Sequence, residues 1–147
     1  MGMMHQAELI LIRQKISVNP FLKGFNNELY AIWSEDNSSS YQIRVAKFDN
    51  SSSWNFKEGT NCSGNNCYLT DNKTGLNKST GSGSNPMLEV FNSNLYAIWS
   101  EYNGSKQQIR VKKFNGSNSW SVDKASLNDS QSQDALNPTM EEFNNKL

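Results

Sequence analysis

The strongest constraint on this chain is that it repeats itself. Residues 19–35 read NPFLKGFNNELYAIWSE, and residues 85–101 read NPMLEVFNSNLYAIWSE. The match continues from QIRVAKF at 42–48 to QIRVKKF at 108–114, and from Trp54 to Trp120. Over residues 19–56 the offset is 66 without a gap, with 23 identities in 38 positions. Self-similarity of this kind fixes the architecture before any local propensity is weighed, because each copy must fold as the same unit and bury the same faces.

A third copy opens at 137–147 with NPTMEEFNNKL, up to the residue equivalent to Leu29 and Leu95. The last two Asn-Pro pairs are 52 residues apart, not 66. The 14 extra residues of the first copy therefore map between Trp54 and Leu76, and that stretch is expected to be a loop insertion.

Four short strands are legible in each repeat. Residues 86–91 form the first, and Asn92, Ser93 and Asn94 signal a turn. Residues 95–101 form the second, apolar on both alternating faces as in a strand covered on each side. Asn103 and Gly104 make the next tight turn. Residues 107–114 form the third strand, with Ile109 and Val111 on one face and Arg110 and Lys112 on the other. Residues 119–123 begin a fourth, after which a polar run leads to the next Asn-Pro pair. No helical period is present.

A four-stranded antiparallel meander repeated at roughly 50 residues is the pattern of a β-propeller blade. The expected fold is thus all-β: two four-stranded blades and the first strand of a third. Residues 1–18 are an N-terminal segment and candidate closing strand. Residues 19–84 are blade one, with a cysteine-containing insertion near 58–75. Residues 85–136 are blade two, and 137–147 open a truncated third. A propeller closes with about four to eight blades, so the expected ring needs further copies, as a homodimer or homotrimer, or a longer parent chain. The alternative is a sandwich of two sheets within one chain.

Composition narrows the function. Lys plus Arg and Asp plus Glu are 14 each, which lacks the basic excess of a nucleic-acid binder. No run approaches 18 apolar residues, so no membrane insertion is expected. Leu, Ile, Val and Phe make only 30 of the 147 residues, near the disordered range. Zero net charge and 11% aromatics argue instead for a folded chain. The run Leu9–Ile12 is too short for a signal-peptide core. Cys62 and Cys67 could close a local disulfide or stay as thiols. A single histidine leaves too few ligands for a zinc site, and no cofactor is expected. Eight Asn-x-Ser/Thr triplets are what so Asn- and Ser-rich a chain produces by chance.

The shared pattern of the repeats, from the Asn-Pro pair through LYAIWSE to QIRV, a Lys-Phe pair and the following Trp, resembles the repeats of bacterial β-propeller proteins of the surface or secreted type. That resemblance covers about residues 19–147 and implies a secreted or cell-surface setting. The tail of each repeat is similar to the Asp box of sialidase-type propellers, in which an Asp precedes an aromatic residue by five positions. Asp49 and Trp54, and Asn115 and Trp120, keep that spacing. Lys47 and Lys113 stand where that box has Ser or Thr, Ser51 and Ser117 where it has Gly, and Asn115 replaces Asp. The likeness therefore implies a turn with a packed Trp and not a sialidase.

The expected function is a non-catalytic binding or scaffold module that self-assembles into a propeller, with lectin-like carbohydrate binding. Trp54, Trp120, Tyr41 and Tyr102 are the candidates for stacking on sugars. Glu35 and Glu101 end equivalent second strands and complete the candidate ligand set; as paired carboxylates they would also suit acid-base chemistry at a suitable distance. The competing readings are a glycosidase or sialidase-like enzyme at the ring centre and a propeller fragment without independent function. Arg44 and Arg110 are expected as charged residues on outer strands.

Overall fold

The computed structural model describes residues 16–48, 75–77, 81–114, 116, 120–124, 126–144 and 146. These residues form β1 (Ser17–Phe25), β2 (Glu28–Asp36), β3 (Tyr41–Phe48), β4 (Gly83–Phe91), β5 (Asn94–Tyr102), β6 (Gln107–Phe114) and β7 (Trp120–Lys124), with no helix. They make two antiparallel sheets, β1-β2-β3 and β4-β5-β6-β7. The chain is all-β, as the repeat predicts. Trp54, Cys62, Cys67 and the expected fourth strand of the first copy lie outside the described residues, as does the candidate closing segment up to residue 15.

The turns follow from side-chain chemistry. Asn26 and Asn27 join β1 to β2 with φ of 50° and 61°, and Asn92 and Ser93 do the same between β4 and β5 at 47° and 56°. Two successive positive φ angles give the mirror-image turn whose twist suits a two-residue hairpin, and asparagine tolerates that region best among residues with a Cβ. The next hairpin is tied by Asn37, whose Oδ1 accepts from the N–H groups of Ser39 and Ser40 at 3.0 and 2.9 Å; Asn103 repeats this with Ser105 and Lys106.

The Asn-Pro pairs sit at irregularities in the ladder. Register shifts between Val18 and Phe21 in β1, and between Ser84 and Met87 in β4. Proline has no N–H for the ladder, and the asparagine before it adopts positive φ: 54° at Asn19, 51° at Asn85 and 53° at Asn137. These bulges align the three amides. Asn19 Nδ2 donates to Asn85 Oδ1 at 2.8 Å, and Asn85 Nδ2 donates to Asn137 Oδ1.

Strand alternation gives each sheet a front face (Tyr30, Ile32, Ile43 and Val45, or Tyr96, Ile98, Ile109 and Val111) and a back face (Leu29, Ala31 and Trp33, or Leu95, Ala97 and Trp99). The back face of the second sheet packs on the front face of the first, with Leu88 filling the centre and Phe21 and Phe25 at the side. The front face of the second sheet is covered in turn by Met140 and Ala135. Met140 is the repeat equivalent of Leu88, so one packing step occurs twice. The contact is close: a Cβ on Gly83 would lie 2.5 Å from Ile43 Cγ1. At about 25 cal/mol per Å2 of apolar surface, this stacking is the main source of stability for sheets with so few large side chains.

Two further elements repeat outside the strands. Leu76 N donates to Ile43 O, and Asn77 Oδ1 accepts from Ile43 N at 2.8 Å. Leu127 and Asn128 make the same bonds to Ile109. Each Leu-Asn pair thereby pins the connecting segment to the third strand's edge. The third copy departs from expectation in one respect. Residues 137–142 carry no strand pairing, and the first bridge there joins Phe143 to Lys146. Extended backbone becomes a strand only through a ladder partner, and among the described residues none lies beside it.

Candidate functional site

Cross-strand pairing sets Trp33 opposite Arg44 and Trp99 opposite Arg110. Two residues on, Glu35 and Glu101 lie on the same face. Trp99 Nε1 donates to Glu101 Oε2 at 3.1 Å, and Arg110 Nε lies 3.5 Å from Glu101 Oε1. Trp33, Glu35 and Arg44 repeat the set at 3.2 and 3.5 Å. Arg44 is only 5% exposed and Glu101 2%. The arginines are thus not solvated outer-strand charges, because each has a carboxylate within reach on the neighbouring strand, and a buried charge needs such a partner.

The two carboxylates do not form a pair. Glu101 lies on the back face of the second sheet, turned toward the first, whereas Glu35 lies on the back face of the first, so the first sheet stands between them. Burial holds the Lys112 ammonium below its ordinary value, with the Glu101 charge pulling the opposite way. Among the described residues no group of His, Cys, Asp and Glu could hold a metal ion, and no helix is long and apolar enough to cross a membrane.

Tyr41 and Tyr102 come together at one end of the sheets. The N–H of Tyr41 donates to Ser82 Oγ at 3.1 Å, and that of Tyr102 donates to Ser82 O at 2.9 Å. Tyr102 is exposed and Tyr41 half-buried. Trp120 is at the other end, its ring 5.2 Å from that of Phe114 and packed on the inter-sheet core.

That opposite end carries a cleft which the sequence reading did not single out. It has a volume of about 560 Å3 and opens between the two-residue turns of the first and second sheets. Phe25 and Val90 supply apolar surface, while Asn26, Asn27, Glu28 and Ser93 supply polar groups. Phe25 belongs to an aromatic chain: Phe25 to Tyr30 is 6.0 Å between ring centres and Tyr30 to Phe114 is 5.9 Å. Glu28 is held in place, accepting from Tyr30 Oη at 3.0 Å and from Lys47 Nζ at 3.0 Å. A fixed carboxylate, amides and an apolar wall suit a ligand with several hydroxyl groups and an apolar edge. The only sequence trace was the two-residue turn, which serves the hairpin equally well. Comparison with family models, with curated proteins and with solved structures returns no match, so the site rests on its own geometry.

Proposed function

We propose that this chain is built of β-propeller blades and serves as a non-catalytic binding or scaffold module of lectin-like type. The observation that carries this reading is the repeated packing step, in which a back face covers the preceding front face and Met140 then takes the place of Leu88. The carboxylate of this cleft is not repeated, Asn27 and Glu28 being Ser93 and Asn94 in the second copy, so it is an assembly of several chains that would hold a weak ligand several times over, once per chain. The cleft at Phe25, Asn27 and Glu28 is the ligand site in this reading, and the Trp-Glu-Arg clusters are structural.

The test is a glycan array run beside a glycosidase panel. Glycan binding that Glu28→Gln and Asn27→Ala both abolish, without turnover, is the expected result. Hydrolysis that is lost in Glu35→Gln or Glu101→Gln would instead make the molecule an enzyme and overturn the reading.

A further inference from the structure

Repeat-equivalent residues act as internal controls for burial: the first two copies match in sequence and strand structure and differ in their neighbours, while the third matches in sequence. Leu88 is 0% exposed and Met140 9%, yet Leu22 at the same position in the first copy is 54% exposed. Leu76 is 3% exposed, whereas Leu127, with the same backbone bond to a third strand, is 48%. Phe25 is 6% exposed and Phe143, its equivalent, 73%. Leu22 lies on the back face of the first sheet, and Leu127 and Phe143 lie at the far end, beyond the second sheet. Among the described residues, the other large apolar side chains that are exposed are Leu136, which belongs with Phe143, and Ile16 and Tyr102, which stand apart: Ile16 lies opposite Asp36, on the front-face side of the first sheet.

The two ends complement each other. The head is the β1–β2 part of the back face of the first sheet, since Gln42, Arg44 and Ala46 on the β3 part of that face are already buried; it carries the Leu29, Ala31 and Trp33 pattern that the second sheet already seats on a front face. The amide ladder is directional: it begins with an acceptor oxygen on Asn19 and ends with a donor nitrogen on Asn137. Charge agrees. Lys23 pairs with Glu89, the next equivalent position, at 2.5 Å, and the tail offers exposed Glu141 at that same position.

From this we infer that the partner of this surface is a second copy of the chain, docked head to tail, with Leu22 and Leu29 of one copy covering Leu127, Leu136 and Phe143 of the other. Asn137 of one copy donates to Asn19 of the next, and Glu141 meets Lys23. Such a contact is heterologous, joining two different surfaces, and so it propagates until a ring closes. The inference rests on the blade reading above and does not depend on the ligand.

Light scattering over a concentration series tests it. The unaltered chain is expected to exceed monomer mass at about 100 μM, where a micromolar interface is saturated. Leu22→Asp blocks the head and Phe143→Asp blocks the tail; both sites are exposed, and Leu29→Asp and Leu127→Asp serve as second variants should either misfold by circular dichroism. Each variant alone is expected to be monomeric. Their equimolar mixture is expected to give a dimer that grows no further, because each contributes its one intact end. A monomeric unaltered chain, undiminished association in both variants, or a mixture that stays monomeric would overturn the inference. If association fails while Leu88→Ala is still costly to stability, the blade reading stands and the inter-copy contact falls; if Leu88→Ala is also cheap, both fall.

Discussion

Leu22 and Leu88 occupy one repeat position in nearly the same sequence, so truncating each to alanine isolates the worth of the neighbouring sheet. Leu88 is fully buried among the core side chains between the sheets. Leu→Ala at such a site loses transfer energy and leaves a cavity, about 2–5 kcal/mol together. Leu22 is 54% exposed. Full burial of a leucine is worth about 1.5–3 kcal/mol, so its half-burial, with no cavity formed, puts Leu22→Ala near 1 kcal/mol or below. The expected difference is at least about 1–2 kcal/mol, a large share of the roughly 5–15 kcal/mol of a typical domain. Urea denaturation at low micromolar protein, with unchanged slope, measures both. Equal costs for the two substitutions at that dilution would refute the stacking of the second sheet on the first. A Leu22→Ala penalty that grows with protein concentration would be the signature of a copy seated on the head.

Other expectations follow from the same geometry. Gly83→Ala sets a methyl against Ile43 and is expected to cost about 1–3 kcal/mol by overpacking, read from the same denaturation curves. Lys112 has a folded-state pKa below its unfolded value, so carrying the charge opposes folding below the folded value, and this is relieved as pH rises toward the ordinary lysine range. Lys112→Met is therefore expected to raise Tm at neutral pH, by a margin that narrows as pH rises toward about 10; a constant margin would remove burial of the ammonium as its cause.

Much of the fold was legible because the strands are short and their ends carry chemistry. Asn92 and Ser93 marked a turn, and residues 107–114 were bounded as β6 is. The alternation of Ile109 and Val111 against Arg110 and Lys112 gave the two faces of that strand. What escaped the sequence lies in relations between strands. The run at 95–101 is apolar on both faces, so it cannot say that Glu101 turns inward to Arg110. The Leu-Asn connectors at 76–77 and 127–128 are equivalents hidden by unequal loop lengths. The cleft escaped because Asn26, Asn27 and Glu28 are ordinary hairpin residues until a second sheet brings Val90 and Ser93 beside them. The expectation of a strand at 137–142 rests on likeness to β1 and β4, and a likeness supplies no ladder partner.

The chain has three prolines, and each follows one of the aligned asparagines. Two of them therefore fall in β1 and β4, the border strands of their sheets. A border strand with all its amides outward would invite another chain to zip on by backbone bonding, the route to fibrous aggregates. Removing one donor and kinking the border at the same point spoils that template. Edge-to-edge accretion is thereby disfavoured, so that if copies do meet, the broad sides of the sheets are the route these prolines leave open.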